Sequence, residues 1–227
     1  MSRVRTAVLV GLFVAVNSAT AQSTCASWKY TAGGTPLELA PPKGYTEICS
    51  QDAALCHTLT AGYPPSAITV GYFVPSEEWA AFRQHKANGF RHYLIAQIAG
   101  SMTARDLPAL KEHIHVQQGD VTDHTELPSV FEARGRAPLG IFAETEKSIS
   151  FGVVMRLHPT TGGPDAADVV LVATNSALAI GERMLSLYVY HDYTTESDIP
   201  AAEKLTRDWL SCIEAGARSV SDNAPAL

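Results

Sequence analysis

The chain has 227 residues, of which 46% are hydrophobic and 18% are charged, and its formal net charge is −6. These proportions fit one folded domain, or two at most, and exclude a disordered, collagenous or coiled-coil chain. A balance of 17 Lys and Arg against 23 Asp and Glu argues against a surface for nucleic acid or anionic membranes, which needs clustered positive charge.

The first residues are typical of a secretory signal peptide, which we assign to residues 1–21. Two arginines precede an apolar run of eleven residues from Thr6 to Val16, and the small residues Ala19-Thr20-Ala21 that signal peptidase recognises follow it. This run is too short to cross a bilayer, which takes about 20 residues as a helix. The remaining chain has no Asn-x-Ser/Thr acceptor, which favours a bacterial envelope. We therefore expect cleavage before Gln22 and export to a bacterial periplasm or the extracellular medium, with no transmembrane segment in the mature chain.

Four cysteines, Cys25, Cys49, Cys56 and Cys212, fit an oxidising compartment and allow three pairings. Because Cys49 and Cys56 lie seven positions apart in a loop-like stretch, we predict a local disulfide between them. The remaining pair, Cys25 and Cys212, would then tie the mature N-terminus to the last helix. The chain has no C-x-x-C motif and its spacings do not suit zinc, so the cysteines are predicted to be structural.

Residues 22–66 form a segment rich in Pro, Gly and Thr, for which we predict loops and one short strand at Leu37–Ala40. A single α+β domain is expected over residues 67–215, followed by a flexible tail at residues 216–227. Nothing in the sequence indicates an internal repeat.

The regular part of the chain begins with alternating apolar residues from Ala67 to Val74, which predict a strand. A helix is predicted over Ser76–Asn88, with Ser76 as its N-cap and Gly89 as the residue that ends it. A second strand is predicted over Phe90–Ala99. This strand–helix–strand order permits a parallel crossover connection.

A second helix is predicted to begin at Thr103, where Asp106 completes a capping box and Leu107, Leu110 and Ile114 share one face. The polar residues 117–136 that follow are predicted to be loop.

From Pro138 onward the apolar residues recur with a period of two, which is typical of strands. The predicted elements are strands at Leu139–Glu144, Ile149–Leu157, Val169–Thr174 and Arg183–Tyr193, a flexible tract at His158–Asp165, and a final helix at Ser197–Ala215. The last strand is apolar on both sides, so both faces of the sheet should be covered there. The predicted fold is an α+β, mostly antiparallel sheet with helices on both faces, a three-layer sandwich.

The segments ISFGVVMRL, VVLVATNSAL and RMLSLYVYHDY, followed by a terminal helix bearing Trp209, resemble the PsbP-like α/β/α sandwich. This family includes a lumenal protein of photosystem II and many exported bacterial proteins of unassigned function. The resemblance covers roughly residues 65–215 and implies a non-enzymatic role in binding or assembly. It transfers no catalytic residue, and the long Pro-rich start and the extra cysteines depart from the family pattern.

His113 and His115 suggest a metal hypothesis, with His124 as a third candidate ligand. Residues two apart on the predicted helix diverge by about 200°, so the pair cannot close on one ion. We therefore predict no metal site and no cofactor.

Weak binding candidates lie in three groups. Arg83, Lys86 and Arg91 belong to the main basic patch, which suits an anionic headgroup, a phosphate or an acidic loop, and which equally suits a solvated helix end. His191 belongs to the segment HDYTTESD, which suits a cation site or an acid–base pair where the last strand ends. The favoured interpretation is that Thr195 or Ser197 of this segment caps the last helix. Tyr190 belongs to a set of aromatic residues that either line a ligand groove or form core.

No catalytic motif is present: the chain lacks G-x-S-x-G, H-E-x-x-H, a P-loop and G-x-G-x-x-G. The favoured hypothesis is an exported, non-catalytic binding or assembly module in the bacterial envelope, with an unknown envelope protein or small ligand as partner and no role with nucleic acid. The alternatives are a small hydrolase or metal-dependent enzyme with a dispersed site, and a carrier of lipids or small molecules.

Overall fold

The computed structural model describes residues 25–26, 28–32, 35–63, 66–118, 131–160 and 167–222. The predicted signal peptide and His124 lie outside these residues, as do residues 223–227 at the end of the predicted tail. The elements in chain order are β1 (Lys29–Ala32), β2 (Thr35–Glu38), β3 (Tyr45–Glu47), α1 (Ala53–Thr60), β4 (Ala67–Pro75), α2 (Ser76–Arg83), β5 (His92–Thr103), a short 3-10 helix (Ala104–Asp106), α3 (Leu107–Val116), β6 (Phe131–Thr145), β7 (Ser148–Pro159), β8 (Val169–Ile180), β9 (Arg183–Asp192) and α4 (Asp198–Asp222).

Seven of the described strands form one sheet in the order β3-β4-β5-β9-β8-β7-β6, and β1 and β2 form a separate hairpin. Every neighbouring pair in the sheet is antiparallel. The predicted α+β class with a mostly antiparallel sheet is therefore confirmed. None of the described helices is long and apolar enough to cross a membrane.

The predicted parallel crossover between the first two regular strands is wrong, because β4 and β5 are adjacent and antiparallel. Helix α2 has eight residues and spans about 12 Å, whereas the nine residues of β4 span about 30 Å. A helix this short cannot return the chain to the far end of the strand, so β5 starts beside the end of β4.

Helix α2 is also shorter than predicted. It ends at Arg83 instead of Asn88, and His85 just beyond it has a positive φ of 55° that no helix continues. Ser76 does not cap it: Pro75 holds the N-cap position, and the Ser76 hydroxyl bonds the Thr46 hydroxyl at 2.7 Å.

The N-terminal segment contains more structure than the loops and single strand predicted for it. The three strands β1, β2 and β3 and the helix α1 all fall within residues 22–66. Leu39 and Ile48 from this segment are fully buried. Short strands carry too few residues for a visible period, which is why the pattern missed them.

The predicted loop at residues 117–136 is wrong for its last part, because β6 begins at Phe131. This strand lies at the edge of the sheet, where one side is open to solvent and polar residues, Gly and Pro are tolerated. Its pairing with β7 shifts register three times, so the period of two that marks a strand is lost. The strands β7 and β8 also run further than predicted, to Pro159 and Ile180.

Side chains from the two faces of the central strands enter different core clusters. Leu94 and Val189 pack with Trp209 of α4 and with Leu39. The residues next to them along the strands, such as Ile95, point to the other face of the sheet and pack in a second cluster. That second cluster includes Trp79 of α2 and apolar residues of α1, and a third contains Leu107 and Ile114 of α3.

Both predicted disulfides are confirmed. Cys25 bonds Cys212 with a Cα–Cα distance of 5.5 Å, and Cys49 bonds Cys56 with a Cα–Cα distance of 4.8 Å. The first joins the start of the described chain to α4. The second brackets the start of α1, so its stretch is not the loop that we predicted but the entry to a helix.

Candidate functional site

A patch of uncharged polar side chains lies on the central strands, on the face opposite α4. Alternation along a strand places Tyr93, Ile95 and Gln97 of β5 on one face, and Ile95 assigns this face to the second core cluster. The register sets Gln97 beside Ser186 of β9. Across the four strands the residues of this face are Thr69 and Tyr72 of β4, Tyr93, Ile95 and Gln97 of β5, Ser186, Tyr188 and Tyr190 of β9, and Ala173, Asn175 and Ala177 of β8. We call the polar members of this set the central polar patch.

Tyrosine rings form one end of the central polar patch. The rings of Tyr72 and Tyr93 are stacked with centroids 5.5 Å apart, and those of Tyr93 and Tyr190 with centroids 4.6 Å apart. Tyr188 stacks on Tyr190 at 6.4 Å. Tyr63, which follows α1, packs against the same cluster. The sheet spacing of about 4.8 Å places tyrosines at paired positions in stacking contact.

The hydroxyls of Tyr72 and Tyr190 have no hydrogen-bond partner among the described residues. Tyr72 is 4% exposed and Tyr190 is 6% exposed, yet no hydrogen bond joins either hydroxyl to another described residue. Among the described residues, Trp28 Nε1 is the side-chain atom that is both sealed from solvent and unpaired. The two hydroxyls are not sealed in this way, so each keeps a small accessible surface. Buried polar groups are almost always paired, so water or a ligand must pair these.

Burial keeps these hydroxyls protonated. It raises the pKa of Tyr72, Tyr93 and Tyr190 well above 10, and the neighbouring tyrosines raise it further by charge repulsion. Tyr63 is shifted in the same direction, first by burial and then by Tyr188. At neutral pH each hydroxyl is therefore an uncharged group that both donates and accepts hydrogen bonds.

Gln97 forms the other end of the patch. Its side chain is 5% exposed, and its one described hydrogen bond runs from Nε2 to Thr69 Oγ1 at 3.3 Å. An amide has two donors and one acceptor oxygen, so most of its hydrogen-bonding capacity is unused by the described chain. Gln97 lies two positions along β5 from Ile95, which is paired with Tyr72 and Tyr188 on the neighbouring strands. Two positions correspond to about 7 Å along the strand.

A hydrogen-bond network fixes the N-terminal segment beside this site. The Glu47 carboxylate accepts hydrogen bonds from the backbone N–H groups of Cys49 at 3.0 Å and Ser50 at 2.8 Å, and from Tyr72 N at 3.4 Å. Trp79 Nε1 donates to the side chain of Gln51 at 2.9 Å. The network and the Cys49–Cys56 disulfide together hold the start of α1, and with it Tyr63, in place.

The three basic candidates do not converge on one ligand. Arg83 lies over the ring of Trp79, with its guanidinium carbon 5.5 Å from the ring centroid. Lys86 is exposed beyond the end of α2. Arg91 pairs with Asp192 across the end of the sheet at 2.8 Å. The three side chains therefore have different surroundings, namely an aromatic ring, solvent and a carboxylate.

His191 lies at that same end of the sheet, next to His92. The two rings meet edge to face with centroids 4.3 Å apart, His92 Nδ1 is 2.5 Å from Glu78, and His191 Nδ1 donates to the backbone oxygen of Asp192 at 2.8 Å.

Asp198, the first residue of α4, binds the turn that precedes the helix. Its carboxylate accepts from the backbone N–H groups of Thr194 at 2.7 Å and Thr195 at 2.8 Å. These backbone hydrogen bonds, the Thr194 hydroxyl and the charge of His191 lower the pKa of Asp198 to about 2. Asp198 thus closes the turn before α4 from within the first turn of the helix.

His113 and His115 lie on a helix as predicted, in α3. His115 Nε2 is 2.8 Å from Glu144 Oε2, and Lys111 contacts the other oxygen of that carboxylate at 3.2 Å. Within the described chain no three His, Cys, Asp or Glu side chains converge as metal ligands do.

Two buried ionisable residues, Glu47 and His158, were not predicted from the sequence. His158, which the sequence suggested to be part of a flexible tract, is 6% exposed near the end of β7. Its Nδ1 is 2.9 Å from Asp168 Oδ1. The adjacent Leu157 packs in the second cluster, so His158 faces the opposite side of the sheet from the central polar patch.

No protein-family model matches the chain, and no curated protein matches it. Among solved structures it is similar to the Saccharomyces cerevisiae Ran-binding protein Mog1p, with 12% sequence identity, a TM-score of 0.42 and coverage of 82% of this chain and 94% of that chain. A mutant of Mog1 gives 14% identity, a TM-score of 0.41 and coverage of 84% and 94%. At these TM-scores the similarity supports no conclusion about family or partner.

Proposed function

We propose that the protein is an exported, non-catalytic binding module that holds a small uncharged organic molecule in the central polar patch. The observation that carries the proposal is the burial of Tyr72, Tyr190 and Gln97 with polar atoms that no described residue pairs. Leaving such groups unpaired costs about 1–3 kcal/mol each. A ligand that hydrogen-bonds to these groups satisfies them in place of water.

The chemistry of the patch supports binding over catalysis. General acid–base catalysis needs a group whose pKa lies near the working pH, and the tyrosines of the patch have raised values. The Asn, Gln, Ser and Thr side chains of the patch do not titrate near neutral pH. The ionisable pair His158–Asp168 faces the other side of the sheet and has no access to a ligand held here.

Export is part of the proposal. It is supported by the leader-like residues 1–21 and by two disulfides, since disulfides persist in oxidising compartments. N-terminal sequencing of the protein from a periplasmic or culture fraction should begin at Gln22. Recovery of the uncut chain from the cytosol would contradict export.

The proposal also includes the three-layer arrangement and the resemblance to the PsbP-like sandwich. Both are supported by the antiparallel sheet and by the separate clusters that α4 and the other helices join. In this arrangement α4 covers one face, while α1, α2 and α3 pack on the other.

Ligand-observed NMR with a panel of uncharged fragments, comprising phenols, simple amides and sugars, tests the binding role. Tyr190→Phe keeps the ring and removes one hydroxyl, so fragments that bind wild type should bind this variant several-fold more weakly. The matched control is Tyr30→Phe, which changes a tyrosine on the α4 side and should leave binding unchanged. No binding by any fragment, or equal binding by wild type and Tyr190→Phe, would refute the proposal.

A further inference from the structure

We infer that His92 and His191 form a site for a divalent transition-metal ion of the Zn²⁺ or Cu²⁺ class, at the end of the sheet near the start of α4. Both histidines face the α4 side, because Leu94 and Val189, two positions from them, lie in the core cluster of α4. The site is therefore on the opposite face of the sheet from the central polar patch and is independent of the binding role proposed there. In the sequence the two histidines are far apart, and only the sheet brings them together.

The register of the sheet sets the two rings side by side. His92 of β5 is paired with His191 of β9, and next to them the Asp192 N–H donates to the carbonyl oxygen of Arg91 at 3.1 Å. Because hydrogen-bonded and non-hydrogen-bonded pairs alternate along antiparallel strands, the histidines are a non-hydrogen-bonded pair, in which side chains approach most closely. Their ring centroids are 4.3 Å apart. Two imidazoles on one zinc ion, with Zn–N bonds of about 2.0–2.1 Å, have centroids about 5 Å apart, so these rings need to part by only about 1 Å.

Hydrogen bonds fix which nitrogen of each ring carries the proton. His92 Nδ1 is 2.5 Å from Glu78 Oε1, and His191 Nδ1 is 2.8 Å from the backbone oxygen of Asp192. An ionised carboxylate and a carbonyl oxygen only accept hydrogen bonds, so both Nδ1 atoms donate. In each neutral ring the free lone pair is then on Nε2. Histidines that bind metals almost always donate their other N–H to a carboxylate or a backbone carbonyl in this way.

Both Nε2 atoms are accessible to an incoming ion. No hydrogen bond joins either of them to another described residue, and among the described residues the side-chain atom that is both unpaired and sealed from solvent is Trp28 Nε1. The side chain of His92 is 29% exposed, and His191 is also partly exposed. No third His, Cys, Asp or Glu of the described chain converges on the pair, so water molecules would complete the coordination of the ion.

The surrounding charge favours a cation, and the ligand type selects its class. The carboxylates of Glu78 and Asp198 interact with the two histidines. A third nearby carboxylate, that of Asp192, is already paired with Arg91 at 2.8 Å. Net negative charge therefore remains beside the rings and attracts a cation. Imidazole nitrogens suit Zn²⁺, Cu²⁺ and Ni²⁺, whereas Mg²⁺ and Ca²⁺ prefer oxygen ligands.

Isothermal titration with zinc sulfate and with copper(II) sulfate, at about pH 7.5, where free histidine is neutral, tests the site. Wild-type protein should bind one ion per chain, and Cu²⁺ should bind more tightly than Zn²⁺. His92→Asn and His191→Asn each keep a donor at the position of Nδ1 and remove Nε2, so each should weaken binding about 100-fold. The matched control His115→Asn changes an exposed histidine that also contacts a carboxylate, Glu144 at 2.8 Å, and should leave the affinity unchanged.

NMR of the ring nitrogens in ¹⁵N-labelled wild-type protein tests the geometry without any variant. Both residues of the pair should carry the proton on Nδ1, and added Zn²⁺ should shift the two Nε2 signals together. Protons on Nε2 in the metal-free protein, or no binding of either metal, would overturn the inference. Binding that neither Asn substitution of the pair weakens, or that His115→Asn weakens equally, would mean adventitious ions only and would overturn it as well. Circular dichroism of the variants confirms that a loss of binding is not a loss of fold.

Discussion

The tyrosine stack predicts a steep loss of stability at alkaline pH. In the unfolded chain a tyrosine titrates near pH 10, whereas burial raises the pKa of Tyr72, Tyr93 and Tyr190 well above 10 in the folded chain. Because the folded state holds these protons more tightly, the stabilisation is fully present below about pH 10 and is lost as the pH rises towards the folded pKa values.

The size of the effect follows from the number of buried hydroxyls. Each group that ionises in the unfolded state alone lowers the free energy of unfolding by about 1.4 kcal/mol per pH unit above its unfolded pKa. The three stacked tyrosines together give about 3 kcal/mol of loss between pH 10 and pH 11, because half of each is already ionised in the unfolded chain at pH 10. Tyr45, whose pKa is raised to about 12 by burial and by Glu78, adds to this loss. A domain of ordinary stability has only about 5–15 kcal/mol in total.

Urea unfolding curves at a series of alkaline pH values measure this loss directly. The near-ultraviolet absorbance of tyrosinate, recorded on the same samples, counts the ionised groups among the eight tyrosines. We expect several tyrosines to ionise only together with the cooperative loss of the fold. In Tyr190→Phe the dependence on pH should be less steep by about 1.4 kcal/mol per pH unit. Reversible ionisation of all eight tyrosines near pH 10 with circular dichroism unchanged would refute the burial of the stack.

Three further substitutions test the packing of the fold. Trp209→Ala removes a fully buried ring and should lower the free energy of unfolding by about 3–5 kcal/mol in urea titrations; a loss below ~0.5 kcal/mol would mean that α4 does not dock through this residue. Replacing Cys25 and Cys212 by alanine opens a loop of 187 residues and should cost about 5 kcal/mol, a drop in Tm of about 10–20 °C by calorimetry. Gly71→Ala places a Cβ 2.6 Å from the ring of Phe73 and should cost about 1–3 kcal/mol, so an unchanged Tm would show that the ring has room to move.

The sequence predicted the part of the fold in which a strong period coincides with burial. Strand β9 was recognised because its residues are apolar on both faces of the strand. Helix α4 was recognised because apolar residues recur at helical spacing around Trp209. The disulfides followed from the even number of cysteines and the short separation of Cys49 and Cys56. In each case the feature that determines the structure, a local period of apolar residues or the number and spacing of the cysteines, can be seen in the sequence.

The sequence failed where tertiary context overrides the local pattern. Strand β6 was missed because an edge strand with register shifts needs no alternation of apolar residues. The short strands β1, β2 and β3 hold few residues each, and Leu39 and Ile48 become core residues only because α4 and β4 meet them. Helix α2 stops early at a backbone conformation of His85 that its residue type does not reveal.

The candidate site could be predicted only in part. The sequence identified Tyr190, within a set of aromatic residues, as a possible lining residue. Tyr72 and Gln97 join it through the register of two other strands, which no single-strand pattern contains. One signal was present: Gln97 interrupts the otherwise apolar run LIAQIA, and a polar residue at a core position of a strand needs a partner.

Two buried polar residues, Glu47 and Gln97, differ in how far the described chain satisfies their hydrogen-bonding groups. Glu47 is buried at 6% exposure, and its carboxylate is paired by backbone N–H groups that give the loop before α1 its shape. Gln97 is buried to the same extent, but an aliphatic side chain of the same length would pack there without any unpaired group. A buried polar side chain that the fold does not need lowers stability. That difference between Glu47 and Gln97 supports the proposed binding role of the central polar patch.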